Sequence, residues 1–146
     1  MNTSIQTQSL SINAHFYKIA SVAVALFAAL FLFTNTAQAG QSWQKQDFKV
    51  KGTWAIEQRS DGNYLVLDDA FKTKKAPDLK FFLSKNSYQD INGNNATSNA
   101  VQIAVLKSVK GGASYKIPAN VNVADYKSLV LHCEQYSKLW ASTPLK

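Results

Sequence analysis

The sequence predicts an all-β domain, an antiparallel β-sandwich or flattened barrel of about seven to eight short strands, placed behind an export signal. Three observations carry this. Beyond Gly40 the hydrophobic pattern is mostly of period two. Gly, Pro and Asp-Gly punctuate that pattern at short intervals. Ahead of it, residues 19–33 (IASVAVALFAALFLF) form an uncharged apolar run of 15 residues. A spanning helix needs about 20 residues, whereas a secretory h-region needs about 7 to 15.

The rest of the N-terminus agrees with export. His15 and Lys18 supply a weakly positive flank, and Ala37-Gln38-Ala39 offers the small-x-small pattern that a signal peptidase pocket admits. The predicted organisation is a cleavable signal over 1–39, a short lead over 40–47 and a β-domain over 48–146. An uncleaved anchor is the competing reading. The predicted location is the periplasm or the extracellular space, with no stable membrane span after cleavage.

In the mature part, Phe48, Val50, Trp54 and Ile56 alternate with Lys49, Lys51, Thr53, Ala55 and Glu57, as in a half-buried strand. Gly52 interrupts it and predicts a bulge or a close backbone approach. Ser60-Asp61-Gly62-Asn63 is a hairpin signal, because Asp and Gly tolerate positive φ, and Tyr64 to Leu67 is the return strand. Pro77 bars a central ladder position, so the next strand is Leu79 to Leu83. Lys85 to Asn99 is polar and reads as a long, mobile surface loop. Val101 to Leu106 is a strand, Gly111-Gly112 a turn, and Ala113 to Ile117 a short strand closed by Pro118. Tyr126 to Trp140 is ambiguous. Leu129, Leu131 and Cys133 alternate, yet Tyr126, Val130, Cys133 and Trp140 also suit a helix with Asp125 as its N-cap.

The composition excludes much chemistry. With one cysteine and two histidines in 146 residues, the chain holds no internal disulfide, no Cys-rich zinc site and no Cys-x-x-Cys motif. No P-loop, dinucleotide fingerprint or metalloprotease motif occurs. Residues 40–146 hold 15 basic and 9 acidic side chains, and Arg59 is the only arginine. Nucleic-acid sites lean on arginine, so nucleic acid is not an expected partner. The surplus of lysine suits an anionic partner, either a redox protein or an anionic envelope component. Asp68, Asp69 and Asp78 flank a lysine-rich turn as a carboxylate cluster or as solvated ion-pairing groups. The aromatic residues are expected to pack a core.

Several stretches in order resemble the electron-transfer DM-thirteen domain family, a DOMON-associated β-domain. These are Phe71-Lys72-Thr73, Ala76-Pro77-Asp78-Leu79 and Phe82-Leu83-Ser84, then Leu131 to Ser137 with Ala141 and Pro144-Leu145. The resemblance spans roughly Phe48 to Leu145. It implies an all-β fold, resolves the last element as a strand, and implies a redox or electron-transfer role centred on Cys133. Where the family often carries tryptophan before the cysteine, this chain has His132.

Three readings of Cys133 follow: a packed inert thiol, a redox or cofactor-ligating thiol, and an interchain disulfide. On a strand it shares a face with Leu129 and Leu131, while His132 points to the other face as a partly exposed side chain. Haem is the candidate cofactor, with Cys133 or His132 as alternative axial ligands. One flat strand cannot present both to the same iron. The expected function is an accessory redox domain rather than a turnover enzyme. The alternative is a non-catalytic envelope or extracellular binding module for a glycan, protein or anionic surface, using loop Lys85 to Asn99 or the lysine-rich turn.

Overall fold

The computed structural model describes residues 40–146, so the export signal read over 1–39 lies outside the described residues. Among the described residues nine strands form: β1 Gln41–Ser42, β2 Lys45–Gln46, β3 Thr53–Arg59, β4 Gly62–Leu67, β5 Leu79–Ser84, β6 Ala100–Val105, β7 Ala113–Lys116, β8 Ser128–Cys133 and β9 Lys138–Pro144. They build two antiparallel sheets, ordered β1-β3-β4-β7 and β2-β9-β8-β5-β6. The predicted sandwich is therefore present.

The stretch expected as a lead belongs to the fold. β1 pairs with β3 in one sheet and β2 with β9 in the other, and Trp43 between them is buried. The predicted first strand is shorter than its alternation implied. Gly52 breaks it at φ +83°, and β3 begins at Thr53. A side chain at Gly52 would meet the backbone nitrogen of Phe71 at 2.6 Å, so the close backbone approach is what needs glycine there. The Asp-Gly hairpin forms as expected, with Arg59 opposite Gly62.

The ambiguous C-terminal element is a hairpin of two strands. β8 and β9 pair from Ser128–Pro144 to Cys133–Lys138, with an irregularity at Leu131/His132. No helix forms there. A 3-10 turn at Val123–Asp125 is capped by Asn122, not by Asp125.

The main core lies between the sheets and includes Trp54, Leu65, Leu67, Phe71, Phe81, Leu83, Leu129, Leu131 and Cys133. Trp43, Trp54, Phe81 and Tyr115 are linked through it by ring contacts of 5.3–6.4 Å. A second apolar cluster covers the outer face of the five-stranded sheet: Phe82, Val130 and Leu139 under Ile91 and Ala96. Ile91 and Ala96 belong to the connection expected to be a mobile surface loop. It is instead fastened down. Ser128 and Ser142 donate to the carbonyls of Asn86 and Tyr88 at 2.7 and 2.8 Å, and Lys45 donates to the carbonyl of Gln89 at 2.9 Å. Two isolated apolar residues in a polar run carry no period, so the sequence alone does not announce this cover.

Candidate functional site

Strand β8 is buried along its whole length, because β5 and β9 flank it and each face has its own cover. Its alternation sends Leu129, Leu131 and Cys133 into the main core and Val130 into the outer cluster. Cys133 is its last residue, opposite Leu79 on β5 and Lys138 on β9, and it is fully buried. The exposed turn Glu134–Ser137 follows at once. That turn is held by the Glu134 amide donating to the Asp78 carbonyl at 3.1 Å and by Ser137 at φ +49°. Gly93 of the strapped loop lies so close that a Cβ there would meet the Ser137 carbonyl carbon at 3.1 Å.

His132 points to the opposite face from Cys133, as the strand pattern requires. It is 2% exposed rather than partly exposed, sitting edge-on to Phe82 at 6.2 Å, and its Nδ1 has no partner. The same cover that hides Val130 and Leu139 accounts for this burial. Burial pushes the imidazole below its ordinary pKa of 6.5, against weaker upward pulls from Glu134, a backbone hydrogen bond at Lys138, and Asp78. Opposite His132 on β5 stands Lys80, whose ammonium bridges Glu134 and, at 3.2 Å, Asp78. The hydrogen bond to Glu134 and then that to Asp78 hold this lysine above its usual pKa.

The carboxylates do not gather. Asp68 accepts from the Thr53 amide at 2.9 Å and its hydroxyl at 2.8 Å, while Asp78 pairs with Lys80. Among the described residues no group of three or more His, Cys, Asp and Glu could hold a metal ion. The fit to haem is poor as well. The Cys133 sulfur is sealed among apolar side chains, and the His132 ring is packed against Phe82 on the far side of the sheet. Two hollows of about 280 Å³ each are lined by neither residue. They also fall short of the roughly 300–1,000 Å³ usual for ligand pockets. Most of the aromatic residues pack the core, Tyr136 in the turn after β8 is exposed, and Tyr115 also lines one of these hollows.

Residues 42–145 match the family described as Electron transfer DM13. The chain belongs to the DM13 family. The match covers both sheets and ends beside the last strand, so the domain and the family are coextensive. DM13 membership points to a redox-related role, and Cys133 is the one thiol of the chain. No curated protein and no solved structure matches the chain.

The fold also assembles a feature that the sequence reading divided. Lys72, Lys74 and Lys75 form the lysine-rich turn of the sequence, while Lys51 and Lys110 lie in other segments. In the structure Lys51, Lys72 and Lys110 are adjacent on three paired segments. The spacings Lys49-x-Lys51 and Lys72-x-Lys74 were the available signal, since alternate residues of an extended chain share a side.

Proposed function

We propose that this DM13 protein is an exported accessory electron-transfer domain whose redox group is the Cys133 thiol, shielded at rest and reached when the turn after β8 opens. The observation that supports this is the thiol's position. It is fully buried, yet it is the last residue of its strand and one peptide from four exposed side chains. Strand ends and turns open at lower free energy than a sheet centre. In an oxidising compartment a permanently exposed lone thiol would oxidise, so shielding preserves it between encounters. Once exposed, the thiolate attacks a partner's disulfide. A mixed disulfide forms between Cys133 and one partner sulfur, and the other partner sulfur leaves as thiolate; two small-molecule thiols then displace the second partner sulfur and Cys133 in turn, so the partner's disulfide gains the two electrons that the small thiols lose on ending as a disulfide. Export rests on the apolar run and the Ala37-Gln38-Ala39 site.

A second reading is favoured by the depth of burial itself. Cys133 lies within an apolar cluster, where free cysteine behaves as a small hydrophobe, and the chain then acts as a non-catalytic binding module. Incubating the native protein with glutathione disulfide separates the two. The redox reading expects one glutathione adduct at Cys133, reversed by dithiothreitol and absent from Cys133→Ser. An adduct that appears only after unfolding refutes the redox reading and leaves the binding module.

A further inference from the structure

We infer that one end of the sandwich carries a lysine platform that docks an acidic patch on a folded partner protein. Three connections meet there: β2 to β3, β4 to β5, and β6 to β7. They pair as a small ribbon in which Lys72 lies between Lys51 and Lys110. Lys51 and Lys72 exchange amide–carbonyl bonds of 2.9 and 3.3 Å. On the other side, Thr73 donates to Val109 and Gly111 to Phe71, both at 2.9 Å. Those bonds flank the Lys72–Lys110 pair, which makes it the more closely spaced kind of antiparallel pair.

The outward side of the ribbon is set by what points inward. Val50 and Phe71 enter the core, and Thr73 accepts a bond from the Trp140 indole at 3.0 Å. Their neighbours Lys49, Lys51, Lys72 and Lys74 therefore share the outer side with Lys110, and all five are exposed. Ion pairs among the described residues use only Arg59, Lys80 and Lys116 as cations, so none of the five meets a carboxylate. Like charges placed directly opposite destabilise a sheet. The folded chain bears that cost without internal compensation, and a bound polyanion relieves it.

The kind of anion follows from the presentation. These are point-charge ammonium groups, with no guanidinium fork to grip phosphate or sulfate in two bonds. The aromatic rings next to them in sequence are not free to stack on a sugar, since Phe48 is stacked on Trp140 and Phe71 is buried. Backbone pairing fixes the strand positions from which they rise, about 4.8 Å apart across the ribbon and about 7 Å along it. Exposed charges rising from a backbone-anchored row suit a patch of carboxylates on another fold, in a small and charge-steered encounter. The platform lies at the end of the sandwich where β8 finishes. The Glu134 amide there bonds to Asp78, within the β4–β5 connection that also carries Lys72.

The test compares two triple variants of equal charge. Lys51, Lys72 and Lys110→Gln removes the centre of the platform. Lys85, Lys127 and Lys146→Gln removes the same charge at the opposite end, near Ser84 and Pro144. With poly-L-glutamate as probe at low ionic strength, the platform variant is expected to bind about tenfold more weakly, and the control variant to stay within about twofold of wild type. Without the probe, the platform variant is expected to melt a few degrees higher than wild type, because the opposed charges are gone. Equal losses in both variants would make net charge the cause and overturn the proposal. So would tighter, platform-dependent binding to vesicles with one quarter phosphatidylglycerol than to polyglutamate, which would assign the platform to a lipid surface. Cys133→Ser is expected to bind the probe as wild type does, so loss of thiol chemistry and loss of docking are separate results.

Discussion

Acidification reads out the buried face of β8. His132 is neutral in the folded protein because burial disfavours its charged form, and it regains its ordinary pKa near 6.5 when the chain unfolds. Its folded-state pKa is the lower of the two, so between them the unfolded chain binds more protons. Stability is therefore complete above pH 6.5 and is lost as pH falls toward the folded value, below which the loss stops. One proton limits the slope to about 1.4 kcal/mol per pH unit. That is a large share of the stability of a domain of 107 described residues, for which the total is about 5–15 kcal/mol. Urea unfolding of residues 40–146 at half-unit steps from pH 7.5 to 5.0 measures it. The window avoids most carboxylate titration. Wild type is expected to lose stability below pH 6.5, and His132→Gln to remain flat. A flat wild-type profile, or a slope unchanged in the variant, would show that His132 is not a buried neutral imidazole.

Other substitutions test the packing. Gly52→Ala is expected to cost at least about 2 kcal/mol, since it adds left-handed strain and drives a methyl into the Phe71 backbone; a loss under 0.5 kcal/mol in urea melts contradicts this. Ile91→Ala is expected to cost about 2–4 kcal/mol if the strapped loop is part of the core, and unchanged stability would return the loop to the solvent. Gly93→Ala is expected to destabilise by about 1–3 kcal/mol and to speed alkylation of Cys133, because it presses on the turn at Ser137. Unaltered alkylation would uncouple that loop from the thiol.

The sandwich was legible because its signals are local: period-two alternation around Leu65 and Ile103, the Asp61-Gly62 hairpin and the Pro77 break. The opposite orientations of Cys133 and His132 were legible for the same reason. What escaped depends on contacts distant in sequence. Tyr126 to Trp140 reads as one element until the turn Glu134–Ser137 divides it, and that turn needs a left-handed serine that no propensity announces. The burial of His132 is set by the cover over the outer sheet face, more than thirty residues earlier in the chain. The lysine row was invisible because Lys51, Lys72 and Lys110 meet only through long-range bridges.

The shielded-thiol account is tested most directly by the free energy needed to expose Cys133 in the native protein. Alkylation by iodoacetamide, followed across sub-denaturing urea and compared with global unfolding, gives that value. The account predicts opening at distinctly lower free energy than global unfolding and with weak dependence on urea. Alkylation that tracks complete unfolding at every concentration would mean that the sulfur is only a packing atom.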